Sequence, residues 1–314
     1  MHDQADKLRE IVHRQGRGST RPADSPRLIA VASGSTGAGT TTIAVNLAVG
    51  HALAGRRTVL VDVDLERPGI AAGCRLNTRY SVADVLAGRR TLHEVLERGP
   101  GGIQVVTGPS HPRPGFHGTE GALRDLLAEL TRLGAHADIV VLDIGSGINR
   151  AAQAFWHSAD WLLTVSAPEQ NSLLDTYALV KLFAESRGDK PVASLINRAA
   201  TSDAAREASE RLARTCRGHL GLRLVSVGWL SHDAQLAAVR GGWPFRLEAA
   251  DGEVARDIDR VIEGWHLDPT EAATRSTASS SVELTCSQAG NVPAPHIDIL
   301  DSLGTVPPPG ASVG

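Results

Sequence analysis

Leu28-Ile-Ala-Val-Ala-Ser-Gly-Ser-Thr-Gly-Ala-Gly-Thr-Thr-Thr-Ile-Ala-Val-Asn-Leu-Ala48 decides the reading of this chain. An apolar run breaks into a glycine-rich turn and resumes as a helix of small residues. That is the outline of a strand, a phosphate-binding loop and the helix that follows it. The spacing Gly34-x-x-x-x-Gly39-x-Thr41 matches G-x-x-x-x-G-K-[ST] at every position but one. The exception is the lysine that reaches the β- and γ-phosphates, and position 40 is Thr. Such loops work because backbone N–H groups and a helix N-terminus converge on phosphate oxygens, while lysine adds a mobile charge and Ser or Thr binds magnesium. Gly34, Gly37, Ala38, Gly39, Thr40, Thr41 and Thr42 are therefore the expected phosphate frame, with Thr41 on the magnesium side.

No neighbour supplies the missing charge, since the only lysines are Lys7, Lys181 and Lys190. The other basic residues are Arg, so simple drift predicts Arg in the loop, whereas the sequence has Ser35, Thr36 and Thr40. Removing one charge-assisted hydrogen bond to phosphate costs roughly 1.5–3 kcal/mol, about 10- to 150-fold in affinity. ATP or ADP with magnesium is expected to bind weakly or not at all. Arg67 is a conceivable substitute cation, but the sequence does not fix where its guanidinium points.

Outward from the loop, short apolar runs alternate with helical patterns. Residues 28–33, 57–63, 103–107, 138–144, 161–167, 191–197 and 223–229 read as strands, with helices near 40–54, 80–97, 119–134, 148–157, 171–186, 202–218, 232–240 and 251–265. Strands rich in Val, Ile and Leu without polar alternation require a sheet covered on both faces, so the fold class is α/β, a doubly wound, mostly parallel sheet with helices on both sides. Ligands in such sheets sit at the carboxyl ends of the strands. Two of those ends carry acids: Val59-Leu-Val-Asp-Val-Asp64 and Ile139-Val-Val-Leu-Asp-Ile-Gly145. Asp62 and Asp143 are placed to hold magnesium and Asp64 to orient a water, with Gly145 beside the nucleotide. Any one of the three alone is more often a helix cap or a carboxylate ordering its own loop.

The ends of the chain differ from its middle. Residues 1–14 place Ala5, Leu8, Ile11 and Val12 at helical spacing behind Asp3 as N-cap, a helix too short to be stable alone. Residues 15–26 form a Gly/Pro/Ser linker, 27–267 the α/β domain, and 268–314 a Ser/Thr/Pro/Ala/Gly tail expected to be disordered. The net charge of -3 gives no footprint for direct nucleic-acid binding. No membrane helix is evident, the N-terminus lacks a targeting signal, and a cytoplasmic location is expected. Cys74, Cys216 and Cys286 lack metal-ligand spacing.

These residues together resemble the MinD/ParA-type ATPases and, within them, the FlhG regulators of flagellar number and placement. The S-G-K-G-G-V-G-K-T loop of that family is matched by Ser33 to Thr41 with both lysines missing; its D-x-D-L switch by Asp62 to Leu65; its T-L-x-D-V-L-x-G helix by Ser81 to Gly88. Asp143-Ile-Gly-Ser-Gly147 is similar to D-T-G-A-G, Ala167 to Ser172 to A-T-P-E-P-T-S, Leu195-Ile-Asn197 to the strand whose Asn reads adenine, and Ala238 to Phe245 to the closing A-V-R-x-x-x-P. At the N-terminus, Asp3-Gln-Ala-Asp-Lys-Leu-Arg9 is similar to D-Q-A-x-x-L-R. Through that helix the family activates FlhF, a signal-recognition-particle-type GTPase. The resemblance implies partner binding by Asp3, Gln4, Ala5, Leu8, Arg9, Ile11 and Val12, led by Gln4, with flagellar switch proteins or a transcriptional activator as further partners. The missing lysines argue against a nucleotide-driven homodimer. Two rivals stand beside this reading: a working MinD-type ATPase with an unusual Thr-rich loop, and a reductase on the same fold, which would need cysteines in two defined loops.

Overall fold

The computed structural model describes residues 25–112, 118–147, 149–187, 190–234 and 244–265. The expected helix at 2–14 and the tail from 268 lie outside the described residues, as does most of the segment 232–240. Eight strands form one sheet: β1 (Arg27–Ser33), β2 (Thr58–Asp62), β3 (Glu97–Arg98), β4 (Gln104–Val106), β5 (Ile139–Ser146), β6 (Trp161–Ser166), β7 (Val192–Ala199) and β8 (Leu224–Ser231). Their order is β3-β4-β2-β5-β1-β6-β7-β8, parallel except for the short edge pair β3 and β4. After β1 the chain first builds outward on the β5 side and later on the β6 side, so the order reverses at β1. In parallel sheets that reversal opens a crevice at the strand's carboxyl end. The loop at Gly34 begins there.

The six longer helices are α1 (Thr40–Leu53), α2 (Glu120–Thr131), α3 (Arg150–Ser158), α4 (Gln170–Arg187), α5 (Ser202–Leu220) and α6 (Glu253–Gly264). The strands of the interior carry apolar residues on both faces because each face is covered. Along β1, Leu28, Ala30 and Ala32 join the core beneath α2 to α5, while Ile29 and Val31 join the core beneath α1 and α6. Helix α1 is buried along nearly its whole length. It packs so closely under α6 that a Cβ on Gly50 would lie 2.1 Å from Ile262 Cδ1. Trp161 on β6 meets Trp265 edge-on, with ring centroids 5.5 Å apart, which secures the end of α6 to the sheet.

All seven predicted strands are present, but the continuous helix expected over 80–97 is not. Two short turns stand in its place, Val82–Leu86 and Leu92–Val95, separated by Gly88 at φ 67°. Each turn starts with its own capping box, Ser81 with Asp84 and Thr91 with Glu94, so local capping ends what apolar periodicity suggests is continuous. No helix among the described residues is long and apolar enough to cross a membrane.

Candidate nucleotide site

The loop after β1 is a phosphate-binding turn in shape. Gly37 and Gly39 adopt left-handed φ values of 82° and 95°, and Ile43 N–H donates to Gly39 O to start α1. Gly34 has a different duty: a Cβ there would lie 2.1 Å from the backbone carbonyl carbon and oxygen of Asp175, so only glycine lets the loop rest on α4. Across the crevice, the Asn197 amide donates to Ala38 O at 2.8 Å. The residue expected at adenine thus also braces the loop.

Thr40 occupies the place of the lysine, and its side chain is turned inward. The residue is buried, and its hydroxyl donates to Ser33 Oγ at 2.8 Å while Ser33 Oγ donates to Ser35 O at 2.8 Å. The Ser35 hydroxyl in turn lies 3.4 Å from Ser172 Oγ, which bonds Ser166 and accepts from Ala167 N–H. A chain of hydroxyls therefore closes the loop on itself. Motif spacing does not single out Ser33 and Ser172 for this role; the density of Ser and Thr from 33 to 42 is the signal that bears on it.

The three carboxylates predicted from the strand ends gather below the loop. Asp62 is fully buried; its Oδ2 accepts from Gly69 and Ile70 N–H at 3.0 Å each, and its Oδ1 from Asp64 N–H at 3.3 Å. Asp64 Oδ1 accepts from Arg67 N–H at 2.9 Å and Glu66 N–H at 3.3 Å, which orders its own turn. Asp143 Oδ1 accepts from Gly145 N–H at 3.1 Å, whereas its buried Oδ2 has no hydrogen-bond partner among the described residues. Burial, aided by the Asp143 charge, pushes the Asp62 carboxyl well above its usual range. Burial raises Asp143 to about 7, with the Thr41 hydroxyl and Gly145 N–H pulling the other way, and it raises Asp64 as well. These shifts share one cause, negative charge held away from water, and at Asp64 the Arg67 charge pulls the other way.

The conceivable substitute, Arg67, is exposed and engaged at the end of β5, where Ser146 pairs with Ser33 at the start of the loop. Its Nη2 donates to Ser146 O at 3.0 Å and Ser146 Oγ at 2.9 Å, joining the turn after β2 to the end of β5. Its charge acts on Asp64, where it opposes the effect of burial. Gly34 to Thr42, Asp62, Asp64, Asp143, Gly145 and Asn197 are thus brought to one crevice, while residues 3–12 lie outside the described residues. Cys74 ends the turn at Ile70–Gly73 as a core thiol that burial raises to about 12.

Sheet order, loop and acids together define a P-loop nucleotide-binding domain. The chain belongs to the CobQ/CobB/MinD/ParA nucleotide binding domain family, whose model matches residues 29–240, and within it to the FlhG-type branch. It is 31% identical to the antiactivator FleN of Pseudomonas aeruginosa over 216 residues, 69% of this chain and 76% of that protein. It is 22% identical to the flagellum site-determining protein YlxH of Helicobacter pylori over 264 residues, 83% of this chain and 89% of that one. The septum site-determining protein MinD from Pyrococcus horikoshii OT3, solved with Mg-ADP, superposes with a TM-score of 0.64 at 19% identity, covering 78% of this chain and 97% of that one. The last likeness is one of fold.

Proposed function

We propose that this chain is a regulator of flagellar assembly or number that binds and stimulates an FlhF-like GTPase through residues 3–12. Its P-loop domain then serves as a scaffold whose nucleotide site binds ATP weakly or not at all. The likeness to FleN and YlxH supports the flagellar setting, and the D-Q-A-x-x-L-R match supports the partner. The observation that carries the reading is Thr40: the group standing where the phosphate lysine belongs is spent on Ser33 inside the loop. Activation in this scheme comes from Gln4, which completes the partner's GTP site or orders its attacking water. Adding this protein to the cognate GTPase should raise GTP turnover, and Gln4→Ala should return it to the basal rate. An unchanged rate with either protein would sink the proposal.

A second reading, a working ATPase, is favoured by one feature. Asp143 Oδ2 is buried, unpartnered among the described residues and next to Thr41, which is the arrangement a magnesium ion would satisfy. Thr41 and Asp143 would hold the ion, with Asp62 behind them, and the metal would neutralise charge on the phosphates. Against it, the loop offers phosphate only N–H groups and hydroxyls.

A further inference from the structure

The stretch Ser81 to Gly88 enters the nucleotide site nowhere, yet it walls a separate cavity of about 320 Å³. Arg79, Tyr80, Asp84, Arg89 and His111 are among the polar groups around it, and Ala83, Ala87 and Pro109 supply apolar wall. The cavity is built into the fold. Val82 N–H donates to Thr107 O at 2.8 Å, and the Thr78 and Thr107 hydroxyls are 2.7 Å apart, so the wall is tied to the end of β4.

The cations around this cavity are not equivalent. Arg89 is held by Asp84 at 2.9 Å, and Arg90 lies 4.2 Å over the Tyr80 ring while bonding Glu94 and the Tyr80 hydroxyl. Both are fixed and largely neutralised. Arg79 is exposed, rests 5.3 Å from the Tyr80 ring centroid, and has no acidic partner among the described residues. Of the four arginines in residues 75–90, Arg75 pairs with Glu248, Arg89 with Asp84 and Arg90 with Glu94, which leaves Arg79. An unspent guanidinium attracts an anion, and the aromatic ring and small apolar walls beside it suit a carboxylate carried on an apolar-flanked stem.

We propose that this cavity is the docking pocket for an acidic peptide segment of a protein partner, one that presents a carboxylate next to an apolar side chain. Its size suits one or two side chains, and a polyanion such as nucleic acid would meet an acidic molecule outside this patch. The pocket also adjoins the crevice. Gly108, which precedes the Pro109 wall, stands so close over Asp62 that a Cβ there would lie 3.1 Å from its carboxyl carbon.

Titration of the full, 15N-labelled chain with the peptide acetyl-Leu-Glu-Leu-Glu-amide tests this by backbone amide shifts. Saturable shifts should map to residues 78–89, 110 and 111, and the Gln-for-Glu peptide should bind at least about ten-fold more weakly. Arg79→Ala, a surface change away from the core, should weaken the acidic peptide about 10- to 100-fold with an unchanged thermal midpoint. Absence of shifts, equal binding of the two peptides, or full affinity in Arg79→Ala overturns the proposal. Displacement of the peptide by equimolar inorganic phosphate also overturns it, since the cavity would then be a general anion site.

Discussion

The two ends of helix α1 solve opposite problems. At its N-terminus, Thr41 lies beside the buried carboxylate of Asp143, which burial raises to about 7. At its C-terminus, His51 is fully buried, and its Nδ1 accepts from the exposed Arg56 at 2.7 Å. A guanidinium can only donate, so the ring proton sits on Nε2, which is buried without a partner among the described residues. Burial, helped by the Arg56 charge, lowers His51 to about 3. The difference teaches where the helix is built for a visitor: the acidic end is unbalanced in a way a cation would relieve, whereas the histidine end is sealed and simply neutral.

The contrast is breakable by pH. His51 has a folded pKa below its unfolded value, so the unfolded state takes up its proton first. Stability is lost as pH falls from 6.5 towards 3, at roughly 1.4 kcal/mol per pH unit. Asp143 has a folded pKa above its unfolded value, so the folded state keeps a proton that the unfolded state has released. Stability is lost as pH rises from 3.8 to about 7, with a similar slope of opposite sign. The two oppose each other between 3.8 and 6.5. The largest effect is expected from His51→Leu, which removes the acid limb. Denaturant titrations of that variant should show stability falling steadily from pH 4 to pH 7, about 4 kcal/mol in all. Asp143→Asn comes next: it should stabilise the ligand-free protein at pH 8 by about 3 kcal/mol and leave the acid limb of His51 exposed. Gly34→Ala should cost about 2–3 kcal/mol through its clash with the α4 backbone, measured as a lower denaturation midpoint. Gly37, left-handed at φ 82° but with open space around it, should cost only about 1 kcal/mol when changed to Ala.

Much of the fold is legible because β-branched runs and Leu stripes are direct consequences of two-sided burial. Leu123, Leu126, Leu127, Leu130 and Leu133 share one helical face by spacing and are buried together. Residues 80–97 mislead because their apolar spacing continues across a glycine and two capping boxes, and β3 is only two residues long. At the site, residue types and strand ends are enough to gather Asp62, Asp64, Asp143 and Asn197. Their partners are not readable in the same way. Sequence shows that position 40 lacks a charge, but the inward hydroxyl on Ser33, the reach of Arg67 to Ser146 and the burial of His51 depend on packing between distant segments.

The central claim is that the lysine-free loop is closed on itself and gives nucleotide no strong hold. Calorimetry with Mg-ATP tests it on the natural chain and on Thr40→Lys. The account predicts no low-micromolar binding by the natural chain, and a 10- to 150-fold tightening, about 1.5–3 kcal/mol, when the lysine is restored. Low-micromolar affinity without the lysine, or no gain on restoring it, would contradict it.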